Sequence, residues 1–262
     1  MATDTDWETV SLDIDDDDVA TLTVDRPDSL NALNTATMDA LEEALAAAED
    51  ADVRALVLTG AGDKAFIAGA DISYMQSLST EEAEAYAEQG HDICRTLERF
   101  PGATIAAVNG YAFGGGCEMA LACDLRVASE RAVLGQTEID LGIIPGWGGT
   151  QRLPALVGDE VARRLIFFGD RIDAQDAYEH GLVGEVVAHD QLDDHVAEMA
   201  ADLAAKPKFA LRAAKEALNK FHEAPRDAAL DFERRTWSGL FGSHDQREGM
   251  EAFVEKRDAE FE

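Results

Sequence analysis

Three short runs, at residues 21–24, 54–59 and 104–108, are apolar or β-branched. They stop at Asp25, Gly60 and Asn109, and each is followed by a stretch that suits a helix. Strand-length runs punctuated by turn residues and alternating with helical segments restrict a chain to the α/β class. From Gln191 onward the alternation ends, and HVAEMAADLAA, FALRAAKEALNKF, DAALDFERRTW and REGMEAFVEKRDAEF read as helices. Turn signals separate them at Lys206-Pro207, Ala224-Pro225 and Phe241-Gly242. The expected organisation is an α/β core over 1–190 and a helical region over 191–262.

Composition bears on partners. The 262 residues are 46% hydrophobic, enough for a sizeable core, but carry 53 acidic against 22 basic groups, a formal charge of -31. Such a surface opposes binding to nucleic acid or anionic lipid, which requires clustered Lys and Arg. The acidic residues are spread along the chain, and only six of the basic ones are lysines. This pattern reads as salt adaptation, because molar salt shortens the Debye length to about 3 Å and screens self-repulsion. An acidic protein of ordinary salt habitat is the alternative. Cys94, Cys117 and Cys123 form no CxxC pair and read as reduced core residues. The segment MATDTDWETV has no targeting pattern and no apolar run reaches 18 residues, so a soluble cytoplasmic protein without a membrane partner is expected. Six dispersed histidines without HExxH imply no metal.

The segment TIAAVNGYAFGGGCEMALACD combines an apolar strand, a turn at Asn109-Gly110, the triplet Gly114–Gly116 and a helix with Glu118 in its first turn. Glycine admits a ligand close to the backbone, and free N–H groups at a helix start can hold a developing negative oxygen. The triplet matches neither a dinucleotide fingerprint nor a P-loop, and a plain tight turn would need the same residues. A second element, KAFIAGADISYM, sets Gly69-Ala70 between a strand and a helix start. If the two turns face each other, the main-chain amides of Ala70 and Gly115 form an oxyanion hole. Glu138 follows Glu118 by twenty residues in the Gly-rich, apolar LGQTEIDLGIIPGWGGTQRL. Two carboxylates in such surroundings could be a general acid–base pair, or two ordinary solvated glutamates.

RPDSLNALN, AFIAGADI, AAVNGYAFGGGCEMALACD, LGIIPGWGGTQRL, FFGDRIDAQDAYEHGLV and EGMEAFVEKR, in that order, resemble the enoyl-CoA hydratase/isomerase (crotonase) superfamily, and within it the hydratases. The resemblance implies a spiral of β-β-α turns with C-terminal helices that pack trimers, commonly paired as hexamers, and an acyl-CoA thioester as substrate without a separate cofactor. It implies a thioester carbonyl held by Ala70 and Gly115. Glu118 would activate the water that attacks the β-carbon, and Glu138 would protonate the α-carbon. Further substrate or CoA contacts fall on Ala68, Asp71, Ile72, Gly146, Trp147 and Lys256.

The chain departs from the family pattern at Asp28 and Ser73, where relatives often carry a basic residue, at Thr137, usually Pro, and at Trp147, often smaller. Trp147 is expected either to line the acyl pocket or to pack beneath it. Hydration of a 2-enoyl-CoA is the expected activity. Dehydration of 3-hydroxypropionyl-CoA, double-bond isomerisation and, distantly, RNA binding are the competing readings.

Overall fold

A computed structural model describes residues 7–262; residues 1–6, which open the segment read above for a targeting pattern, lie outside the described residues. The strands are β1 (Val10–Ile14), β2 (Val19–Val24), β3 (Ala55–Gly60), β4 (Ala65–Ile67), β5 (Ala103–Val108), β6 (Tyr111–Phe113), β7 (Leu125–Ser129), β8 (Val133–Gly135), β9 (Arg171–Asp173) and β10 (Glu185–Val187). They form two sheets, β1-β2-β3-β5-β7-β10 and β4-β6-β8-β9. The chain visits the sheets alternately: β3, β5 and β7 lie in the large one, and each is followed within a few residues by β4, β6 or β8 in the small one. A helical segment follows each pair, so the path is a spiral of β-β-α turns.

The large sheet is parallel apart from its β1–β2 edge. Its central strand, ATIAAV, is buried on both faces, as an apolar run in a parallel sheet should be. Side chains alternate between two cores. Leu56, Leu58, Ala106 and Val108 face one that includes Met38, Leu41 and Leu45 of helix Thr35–Asp50 and Ile93 and Leu97 of helix Thr80–Arg99. Ala55, Val57, Ile105 and Ala107 face another, closed by Leu192, Val196 and Ala200 of helix Leu192–Ala204. That helix belongs to the sheet's core, although the sequence turns helical at 191. The edge strand β1 runs into Asp15–Asp18, where the Asp15 carboxylate accepts from Asp17 N and Val19 N, and this charged turn discourages further strand addition.

Helices Lys208–Glu223, Arg226–Gly239 and His244–Glu255 follow, separated at the three turn signals. The first is anchored by Lys215, 9% exposed on an otherwise open helix. Its Nζ lies 2.7 Å from Asp124 and donates to the carbonyls of Leu97 (3.3 Å) and Gly102 (3.1 Å). Asp124 also accepts from Thr104 N and Oγ1.

Lys215→Met would leave the Asp124 charge without its cation. We expect a loss of about 2–3 kcal/mol in denaturant unfolding, below the fully buried case because Asp124 is 28% exposed. Arg234→Ala, which breaks an exposed pair with Asp231, should cost less than about 0.5 kcal/mol.

Candidate active site

Strands β4, β6 and β8 are parallel neighbours, so their C-terminal ends emerge side by side. Ligand sites in parallel sheets lie beyond this edge of the strands. The three loops that leave it are Ala68-Gly69-Ala70, Gly114-Gly115-Gly116 and Gln136-Thr137-Glu138. The first is pinned to the segment before helix Thr35–Asp50: Leu33 N donates to Gly69 O (2.9 Å) and Asp71 N to Leu33 O (2.7 Å). This bridge leaves Ala70 N without an acceptor among the described residues. Gly115 N opens helix Gly115–Ala122, where no preceding turn can accept from it.

Glycine is required by proximity here. A Cβ on Gly116 would sit 1.9 Å from Ile67 O, and one on Gly69, whose φ is +105°, would sit 2.9 Å from Phe113 O and 3.9 Å from Gly115 N. The two turns therefore face each other, and the Ala70 and Gly115 amides border one cavity of about 500 Å³.

Glu118, in the first turn of that helix, lies in the wall of this cavity and is 2% exposed. Its Oε1 accepts from Trp147 N and Gly149 N, both at 2.7 Å. Gly149 is the first residue of helix Gly149–Val157, so the carboxylate sits at the positive end of a helix. Burial raises the Glu118 proton affinity, and the main-chain donors partly oppose that rise.

Glu138 begins a 3-10 turn, Glu138–Leu141, and borders the same cavity at 9% exposure. A Cβ on Gly114 would approach its Oε1 to 3.1 Å. Burial first, and the neighbouring Glu118 charge second, push its pKa up to about 7. Buried Gln136, in the orientation that satisfies both ends of its amide, donates to Glu138 Oε1 at 3.0 Å and Oε2 at 3.2 Å. The site thus holds one carboxylate held by two main-chain amides of one loop and a second poised to keep a proton near neutrality.

Ala68, Ile72, Gly146 and Trp147 also line the cavity. Asp71 does not. It caps helix Ile72–Met75 through Ser73 N (3.0 Å) and Tyr74 N (3.4 Å), with Arg26 3.5 Å away. Lys256 ends the last helix in a left-handed conformation and does not border the cavity of its own chain. Trp147 is both buried, at 4%, and part of the wall. Met75 also lines the cavity, while Tyr111 stacks on Phe113 with centroids 5.3 Å apart and is exposed. Gln136 and Gly149 were not singled out in the sequence. The only signal was their place within two residues of Glu138 and Trp147.

Residues 15–262 match the family described as enoyl-CoA hydratase/isomerase. The chain belongs to this family. Crotonyl-CoA hydratase of Syntrophomonas wolfei is 43% identical, covering 93% of this chain and 94% of its own length. Short-chain-enoyl-CoA hydratase of Clostridium acetobutylicum is also 43% identical, covering 92% and 93%. The crystal structure of enoyl-CoA hydratase from Bacillus anthracis superposes with a TM-score of 0.93 at 38% identity, covering 97% of this chain and 99% of that one. The crotonase-type spiral implied by the motifs is the fold of this family member.

Folded Glu138 holds its proton to about pH 7, whereas its ordinary value is 4.5. The stability this group contributes is therefore full below pH 4.5 and lost as pH rises through about 7. Glu138→Gln removes that loss. Its melting midpoint should match the parent near pH 4.5 and exceed it increasingly toward pH 8; a gap unchanged across this range would mean that Glu138 titrates as a solvated carboxylate.

Proposed function

We propose that this chain hydrates short-chain 2-enoyl-CoA thioesters to 3-hydroxyacyl-CoA, with Glu118 and Glu138 as its acid–base pair. The observation that carries the reading is the joint placement on one cavity of both carboxylates and two amides that have no acceptor among the described residues. The thioester oxygen accepts from Ala70 N–H and Gly115 N–H. Water held by Glu118 gives that carboxylate a proton as its oxygen bonds to C3. The C2–C3 π pair moves to C2 and into the thioester, whose oxygen becomes an enolate in the field of the two amides and the helix start. Glu138 then delivers its proton to C2 and the carbonyl re-forms. Glu118 ends protonated and Glu138 ionised, the charge pattern of the reverse dehydration.

A double-bond isomerase moves a proton without adding water, so one carboxylate suffices; a second one, buried and held by two amides at 2.7 Å, favours hydration. The relatives named for crotonyl-CoA and short-chain substrates support a short acyl group. The chemistry needs no cofactor, since CoA arrives with the substrate.

The reading extends to assembly and setting. Phe209, Leu218, Phe221, Trp237, Phe253 and Val254 of the last three helices are exposed in the single chain, a large apolar surface that supports trimers or paired trimers. In such an assembly Lys256 would reach a neighbour's CoA. The cysteines Cys94, Cys117 and Cys123 are free and buried, in keeping with a reducing cytoplasm. The charge of -31 favours a salt-rich cytoplasm and disfavours nucleic acid as a partner. Among the described residues no helix is long and apolar enough to cross a membrane.

Assays with crotonyl-, octenoyl- and 3-enoyl-CoA in high KCl test the activity. Glu118→Gln or Glu138→Gln should lower hydration roughly 10²–10⁴-fold while CoA-ester binding persists, and the double variant should lose less than the product of the single losses. Half-activity in either single variant would remove that residue from the chemistry. In a second experiment, lowering KCl from molar to about 0.1 M lengthens the Debye length to about 10 Å, and the melting midpoint should fall. A flat or rising midpoint would refute salt adaptation.

A further inference from the structure

The indole of Trp147 is held between two glycines. On its six-membered-ring side, a Cβ built on Gly115 would lie 2.1 Å from Cζ3 and 2.5 Å from Cε3. Toward its five-membered ring, a Cβ on Gly90 would lie 2.2 Å from both Nε1 and Cε2 and 2.4 Å from Cδ1. No other residue type fits at either place without moving the ring. Gly90 lies within helix Thr80–Arg99, where glycine otherwise only weakens the helix, by roughly 1 kcal/mol relative to alanine. Its role is therefore a notch for the indole.

The ring's position is fixed by its surroundings. The Trp147 main chain is held at both ends, its N–H on Glu118 at 2.7 Å and its carbonyl accepting from Arg152 Nη1 at 2.9 Å. Tyr86, one turn before Gly90, packs edge-on against the indole with centroids 5.6 Å apart. Its hydroxyl donates to Leu33 O at 2.8 Å, the carbonyl that also accepts from Asp71 N beside the Ala70 amide. The aromatic wall is thus tied to both loops that carry the amide donors.

When the thioester oxygen rests on Gly115 N, C3 must lie within a water's reach of Glu118. Glu118 is bonded to the Trp147 main chain, and Tyr86 and Trp147 both line the cavity there. An acyl chain longer than C4, placed so in this cavity, would meet the indole that forms its wall. Resting on the hydratase reading above, we propose that Trp147, seated in the Gly90 notch and braced by Tyr86, ends the acyl pocket, and that Gly90 is a specificity-determining residue which sets the depth of that end.

The test compares kcat/KM for crotonyl-, hexenoyl- and decenoyl-CoA, together with the Kd of decanoyl-CoA, an unreactive saturated ester that reports binding alone. The parent should prefer crotonyl- over decenoyl-CoA. Trp147→Phe and Trp147→Leu keep the N–H that holds Glu118. They should raise the decenoyl-to-crotonyl ratio by roughly tenfold or more, Leu at least as much as Phe, and tighten decanoyl-CoA binding in parallel. Gly90→Ala should lower the ratio further as the displaced ring enters the cavity. Adding Trp147→Leu to Gly90→Ala removes the clash, so the pair should behave as Trp147→Leu alone, in folding and in selectivity. This rescue keeps the test informative if Gly90→Ala alone folds poorly. A ratio unmoved by both Trp147 variants, or a double variant as impaired as Gly90→Ala alone, would overturn the proposal and leave hydration of crotonyl-CoA intact. A parent that hydrates none of the three esters would instead overturn the hydratase reading.

Discussion

The parallel pairing of three very short strands is the constraint on which the site depends. β4, β6 and β8 are each three residues long, yet their register brings Ala70, Gly115 and Glu138 to one edge from sequence positions tens of residues apart. Strands of this length have little stability of their own. They hold because each is a short continuation of a strand in the large sheet, whose two faces are packed by separate cores. The spiral separates duties: the large sheet supplies burial, and the small one supplies aim.

The two glutamates occupy one low-dielectric cavity but are treated differently by the backbone around them. Glu118 receives two short main-chain donors at a helix start, the arrangement that best tolerates a buried negative charge. Glu138 lacks such a pair of main-chain donors, and burial first and the Glu118 charge second favour its neutral form, against the side-chain amide of Gln136 that donates to it. Two identical side chains thereby take opposite roles through environment alone.

What was legible along the chain was whatever side-chain type announces. The strand at 104–108 and the breaks at Pro207, Pro225 and Gly242 appear where turn chemistry and apolar runs put them. The glutamates were ambiguous by spacing, since Glu118 and Glu138 resemble the other acidic residues until their neighbours in space are known; the family motifs singled them out. Contacts between distant segments were not legible. Gly90 is an unremarked glycine in a helix until an indole 57 positions later is found beside it, and helix Leu192–Ala204 reads as the start of a separate helical region until its apolar stripe is seen against β3 and β5. Gln136 carries no sign in its type that it faces a carboxyl group.

The oxyanion donors belong to the main chain, and this has a consequence for how the site can vary. Exchanging the side chain at position 70 leaves its N–H in place unless proline enters, so the electrostatic centre is largely invisible to ordinary point substitution. Its vulnerability lies in shape. At Gly116 a single added carbon would fall 1.9 Å from the Ile67 carbonyl and push apart the two loops that aim the amides. Inactivating changes should therefore gather at glycines that touch no substrate, and a map of tolerated residues would outline the catalytic centre by its fixed backbone contacts more sharply than by its ionisable groups.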